Sequence, residues 1–175
     1  MISGEKKCLI AYFSRKGNNY VNGRIVNLAI GNTEVIAKMI YDIIRGDIFR
    51  IDTKKPYPKD YMETTEVAKY ELKNNARPEL TDHVPDMDLY KVIFLGYPNW
   101  WGTLPMAVLT FLESYDFSGK TIIPFCTHEG SGLGSSVRNI EKICPKAEVI
   151  NAIAFHGGNV KNARQGVEKW INQIN

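Results

Sequence analysis

The chain is short of cysteine, with only Cys8, Cys126 and Cys144. Their spacing matches no metal site, and an odd number cannot all pair internally. That argues against a disulfide-stapled scaffold and a cysteine-held metal, and reduced thiols fit the cytoplasm. Long apolar runs are missing too. None approaches the roughly 20 residues needed to cross a bilayer, so no membrane role is expected. The start, Met1 to Lys7, runs into Cys8-Leu9-Ile10-Ala11-Tyr12-Phe13. It lacks the longer apolar core and small-residue cleavage site of a signal peptide, and reads as the approach to a first strand. Excess charge is small, at +3, with no Lys/Arg cluster, which speaks against nucleic acid. Repeats, linkers and low-complexity tracts are absent, so residues 1–175 read as one domain.

What is present is a regular alternation. Hydrophobic residues make up 44% and charged residues 23%, ordinary for a globular chain. A strand is expected at about 6–13. A helix at about 33–45 carries the stripe Val35, Ile36, Met39, Ile40, Ile43 and Ile44, and Gly46 ends it. Asp47–Asp52 alternates polar and apolar, as an edge strand does. A polar helix spans about 62–75. A nearly all-apolar strand at 90–97 suits the centre of a parallel sheet. Pro105 opens a helix to Tyr115, Thr121–Phe125 is a strand, and a helix covers 133–143. Glu148–Phe155 and a helix at 160–174 complete the order. Five strands alternating with helices predict an α/β domain whose parallel sheet is covered on both faces.

Three loops follow strands and hold the chemistry. In an open α/β sheet, ligands bind beyond the carboxyl ends of the strands. The first loop is Ser14-Arg15-Lys16-Gly17-Asn18-Asn19, joined by Gly31-Asn32-Thr33-Glu34. Hydroxyls and a helix N-terminus suit a phosphate, and Asn32 or Thr33 can cap the helix. Between these pieces, Asn22-Gly23 flanked by Tyr20-Val21 and Arg24-Ile25-Val26 signals a type I′ hairpin, expected beside the phosphate site. The second loop, Gly96-Tyr97-Pro98-Asn99-Trp100-Trp101-Gly102-Thr103, offers indoles for a planar ring. One indole is expected to pack beneath the loop, and Trp101 is favoured for the stack. The third loop, Cys126 to Gly134, frees backbone N–H groups for a heterocycle edge, and His128 is either a proton site or merely exposed. A phosphoacceptor domain of the response-regulator kind would need an Asp at the end of the third strand. That strand ends Gly96-Tyr97-Pro98.

The whole chain resembles the flavodoxin-like flavoproteins. The usual phosphate fingerprint is split here into Ser14 and Gly31-Asn32-Thr33. Pro56-Tyr57-Pro58, Arg77-Pro78-Glu79-Leu80, Gly96 to Pro105 and Gly130 to Gly134 match a bacterial subfamily in order. The resemblance implies a three-layer sandwich with strand order 2-1-3-4-5 and bound FMN, with no metal. Ser14, Asn32 and Thr33 would hold the phosphate, with Arg15 and Asn19 as additions. Pro98, Asn99, Trp100, Trp101, Gly102 and Thr103 would frame the isoalloxazine from one side. Thr127, His128, Glu129, Gly130, Ser131 and Gly132 would frame it from the other. It implies electron transfer to a redox partner protein or to a small-molecule acceptor, in the cytoplasm. Electron shuttles of this family are strongly acidic and this chain is not. An NAD(P)H-dependent FMN or quinone reductase and a non-enzymatic flavin sensor therefore stay open, as does a homodimer. No nicotinamide fingerprint is visible.

Overall fold

The computed structural model describes residues 7–174. Met1 to Lys6, expected to lead into the first strand, lie outside the described residues, as does Asn175. The apolar run forms β1 (Lys7–Tyr12), an interior strand of a parallel sheet. A separate antiparallel ribbon, β2 (Gly17–Val21) and β3 (Arg24–Leu28), follows it. Its turn residues Asn22 and Gly23 sit at φ 50° and 84°, the positive values a type I′ turn requires.

Helix α1 (Asn32–Ile44) carries the expected stripe, with Ile36 and Ile40 fully buried. Each such side chain contributes about 1.5–3 kcal/mol of burial free energy. Its C-terminal cap is Arg45 in the left-handed region, one residue before the expected Gly46. Gly46 serves packing instead, since a Cβ there would lie 2.7 Å from the Cys8 carbonyl oxygen. The edge strand β4 (Asp47–Arg50), helix α2 (Tyr61–Lys73) and the central strand β5 (Tyr90–Pro98) come next. Then come α3 (Met106–Glu113), β6 (Thr121–His128) and α4 (Ser136–Ile143).

The main sheet runs β4-β1-β5-β6, the expected 2-1-3-4 of the major strands. The fifth position differs from expectation. It is split into β7 (Glu148–Val149) and β8 (Ile153–His156), both parallel to β6, making six strands. Val149 pairs with Ile122 and Ile153 with Phe125, so the edge strand carries one extra residue there. Asn151 takes φ 50° inside this bulge and its carbonyl accepts from the Trp170 indole N–H at 2.7 Å. The last helix is likewise divided. A 3₁₀ segment (Gly157–Asn162) precedes α5 (Arg164–Ile174).

Alternation along the strands makes two cores. Leu9, Ala11, Ile93 and Leu95 face a cluster with Val108 and Phe111 of α3 and Ile140 of α4. Ile10, Tyr12, Phe94 and Phe125 face Ile36 of α1 and Trp170 of α5 on the opposite face. Among the described residues, no helix is long and apolar enough to cross a membrane.

Candidate functional site

The carboxyl ends of β1, β5, β6 and β8 open onto one surface, where two clefts share a wall. The first measures about 310 Å³. Ser14, Arg15, Asn19, Asn32 and Thr33 line it from the first loop and α1. Pro98, Asn99 and Trp100 line it from the second loop, and Thr127, His128, Glu129 and Ser131 from the third. Tyr20, Tyr61 and Gly157 complete it. The second cleft, about 560 Å³, shares Arg15, Asn19, Tyr61, Asn99, Trp100 and Ser131, and adds Trp101, Gly102 and the α2 residues Met62, Thr64, Thr65 and Ala68.

The phosphate-suited end is built by close approach. A Cβ on Gly31 would lie 2.2 Å from Ser14 Oγ and 2.7 Å from the Arg15 carbonyl oxygen, so only glycine fits. Gly31 is therefore the helix N-cap, which corrects the expectation that Asn32 or Thr33 caps α1. The acceptor comes instead from Ser14, whose Oγ accepts the Glu34 N–H at 3.1 Å. This leaves the opening turn of α1, with Asn32 and Thr33, turned to the cleft. The first N–H groups of a helix lack partners within it, and its dipole favours an anion. Thr33 and Thr127, both buried, share a 2.7 Å hydroxyl–hydroxyl hydrogen bond across the cleft wall.

Arg15 and Asn19 are committed to the loop itself. The Arg15 guanidinium donates to the carbonyls of Asn18, Pro58 (2.8 Å), Lys59 (2.7 Å) and Asp60 (3.4 Å). The Asn19 amide donates to the Arg15 and Gly17 carbonyls at 3.0 and 3.1 Å. Both line the cleft while bracing it.

The two tryptophans divide. Trp100 packs edge-on against Phe13 (5.2 Å) and Tyr57 (5.1 Å), and still faces both clefts. Trp101 sits at φ 54°, is 51% exposed and lines the second cleft alone. Its indole N–H donates to the Thr65 carbonyl at 2.9 Å, and Lys69 lies over its ring. Thr103, Gly130 and Gly132 line neither cleft. They shape the loops: Thr103 exchanges backbone hydrogen bonds with Trp100, Gly130 N–H donates to His128 Nδ1, and the Gly132 carbonyl accepts from Asn99. Loops two and three touch at Gly134, where a Cβ would lie 2.1 Å from the Gly102 carbonyl oxygen.

Charge in the first cleft is mixed. Glu129 Oε2 accepts the Asn22 N–H at 2.9 Å, which ties the hairpin tip to the third loop. Its Oε1 is buried without a hydrogen-bond partner. His156 Nε2 lies 3.7 Å from Glu129, and the His156 ring meets His128 edge-on at 5.6 Å. Burial, and then His156, lowers the pKa of His128, with Glu129 opposing. Its neutral form is favoured, so it is no standing cation for an anionic ligand. Burial pushes the neighbouring Cys126 thiol up to about 12, which removes it as a nucleophile.

Residues 7–174 match the family model described as Flavodoxin. The chain belongs to the flavodoxin family. No curated protein sequence matches it. Among solved structures, a candidate flavoprotein from Bacteroides eggerthii DSM 20697 is 26% identical, covering 96% of this chain and 97% of its own, with a TM-score of 0.77. One from Bacteroides uniformis ATCC 8492 is also 26% identical, over 97% and 99%, with a TM-score of 0.76. A Lactobacillus acidophilus NCFM flavoprotein in complex with FMN shares the fold at 21% identity, over 94% and 98%, with a TM-score of 0.63.

Reading the sequence of this flavodoxin-family chain missed Tyr20, Tyr61, Gly157 and the α2 residues. Only Met62, an apolar side chain early in a polar helix, offered a signal.

Proposed function

We propose that this flavodoxin-family protein is a cytoplasmic electron carrier that binds FMN, with the phosphate in the first cleft and the isoalloxazine in the second. The observation that carries this is the convergence of Ser14, the α1 N-terminal turn and the Thr33–Thr127 hydroxyl pair on one cleft. That cleft is continuous with one walled by Trp100 and Trp101. The donor set fits a phosphate: hydroxyls and a helix terminus on a lining whose only Lys or Arg, among the described residues, is Arg15. Bound FMN supplies one- and two-electron redox chemistry. This chain's residues bind and orient it. Trp100 and Trp101 line the cleft that would hold the ring, and an indole packed on it would limit water and disfavour added negative charge. The experiment is flavin extraction and chromatography from purified protein. FMN as the dominant flavin is expected, and dominant FAD or no flavin rejects the reading.

A second reading is an NAD(P)H-dependent reductase of small acceptors. The net charge of +3 favours it, because electron shuttles that dock on large redox partners are strongly acidic. Stopped-flow mixing with NADH and NADPH separates the two: rapid bleaching supports the reductase, and its absence supports the carrier.

The hairpin serves the site rather than the sheet. It pairs with no strand of the main sheet and docks through Asn22 on Glu129 and Tyr20 stacked on Tyr61 at 6.2 Å. Replacing residues 18–30 by a short Gly-Ser link is expected to keep the helical circular dichroism signal and to weaken FMN binding, since Asn19 and Tyr20 leave the cleft. Loss of the helical signal would place the hairpin in the folding core.

A further inference from the structure

A third cleft lies between the first loop, the base of the hairpin and the Pro56–Lys59 loop. At about 700 Å³ it exceeds either of the others. It shares only Ser14 and Arg15 with the first cleft and only Arg15 with the second. We propose that it is a second binding site, distinct from the FMN site, for a nucleoside polyphosphate.

Part of the lining is apolar. Phe13, Leu28, Ala29, Pro56, Tyr57 and Pro58 contribute it. The Tyr57 ring is held rigidly. Its hydroxyl donates to Glu71 at 2.8 Å, and its ring meets those of Phe13 and Trp100 in T-shaped contacts. A fixed ring between two prolines is a ready surface for a planar heterocycle.

The rest of the lining is cationic. Arg15, Lys16, Arg50 and Lys59 face a single carboxylate, Asp52. Asp52 is already paired with Arg50 at 2.9 Å, and Arg50 is further neutralised by Glu34. Lys16 and Lys59 have no carboxylate within ion-pair distance among the described residues, and both are exposed. Arg15 spends its N–H groups on neutral carbonyls, and Asp60 lies near enough to act on its charge. Two unpaired ammonium groups therefore border an apolar lining.

This pairing selects the ligand class. A neutral aromatic molecule has no use for the two ammonium groups, and a bare inorganic anion has none for the ring. A nucleoside polyphosphate uses both: its base lies on Tyr57 and the prolines, and its phosphates meet two mobile ammonium groups, which suit phosphate as point charges. The volume is within the range of small-molecule sites, roughly 300–1,000 Å³. Among the described residues, no lysine lines the first two clefts, so the sites differ in chemistry as well as position.

The test is calorimetric titration of ADP, adenosine, pyrophosphate and citrate at low salt, into the protein as purified and into flavin-stripped protein. ADP is expected to bind one-to-one in both preparations. Adenosine, pyrophosphate and citrate are expected to bind at least about tenfold more weakly, the scale of one lost charged hydrogen bond or ring contact. The double variant Lys16→Glu, Lys59→Glu should weaken ADP by more than about tenfold. Its thermal melting curve and FMN affinity should match the parent. The proposal is overturned if ADP does not bind, if the double variant binds it equally, or if pyrophosphate or citrate binds as tightly. Competition between ADP and FMN overturns it too, because it places ADP in the first cleft. Failure to retain FMN rejects the flavin reading alone, since ADP binding is read in stripped protein as well.

Discussion

Gly31→Ala is expected to loosen FMN binding by about tenfold to a hundredfold, the equivalent of roughly 1–3 kcal/mol of overpacking. The added Cβ would meet Ser14 Oγ at 2.2 Å and the Arg15 carbonyl oxygen at 2.7 Å. Neither can move cheaply. Ser14 is buried and holds the Glu34 N–H, and the Arg15 backbone is braced by Asn19. The first loop must therefore back away from α1, and the hydroxyl and helix-terminus donors lose their common focus. Because the clash exists in the ligand-free chain, stability should fall as well, by about 2–4 °C in melting temperature for each kcal/mol in a chain of this size. Flavin fluorescence quenching and a thermal melt check the two parts. An unchanged dissociation constant would show that the approach of Gly31 to Ser14 does not shape the site.

Glu129→Gln is expected to act in the opposite direction and tighten FMN binding by about tenfold. Glu129 places a carboxylate on the lining of a cleft suited to a dianion, and its Oε1 has no protein donor to offset it. At a partly buried distance of a few ångströms, a like-charge pair costs on the order of 1–4 kcal/mol, less where solvent screens it. Glutamine keeps an oxygen to accept the Asn22 N–H, so the hairpin latch survives. The gain should shrink as salt is raised, because only the charge has been removed. Weaker binding in the variant would mean that Glu129 accepts from the ribityl hydroxyls rather than opposing the phosphate. The carboxylate would then be a specificity element.

Much of this arrangement was legible because it rests on local chemistry. Asn22-Gly23 is a turn wherever it can adopt two positive φ values, and it does so here. The apolar runs before each loop had to be buried strands, and their ends had to converge. What escaped depended on contacts between distant residues. Asn32 and Thr33 read as caps, but Ser14, far along the chain, supplies the acceptor for that turn. The edge strand read as continuous, and one additional residue at Asn151 breaks it, because a single Asn in an apolar run does not by itself signal a bulge. Helix α2 read only as a polar helix, yet Tyr61, Met62, Thr64, Thr65 and Ala68 from it wall the second cleft. The choice between the tryptophans could not come from spacing either. Trp100 is held by two rings contributed by other loops, and Trp101 by a carbonyl of α2.

Arg15 lines all three clefts. Its planar fork grips carbonyls from Asn18 on one side and Pro58 to Asp60 on the other, and so rivets together two segments that share no strand pairing. A lysine would preserve the charge but present one rotating ammonium to four spaced oxygens. The position therefore has a narrow alphabet, and drift there would be felt in three chambers at once. Lys16, beside it, has no such duty and is free to vary with whatever the third chamber is asked to hold.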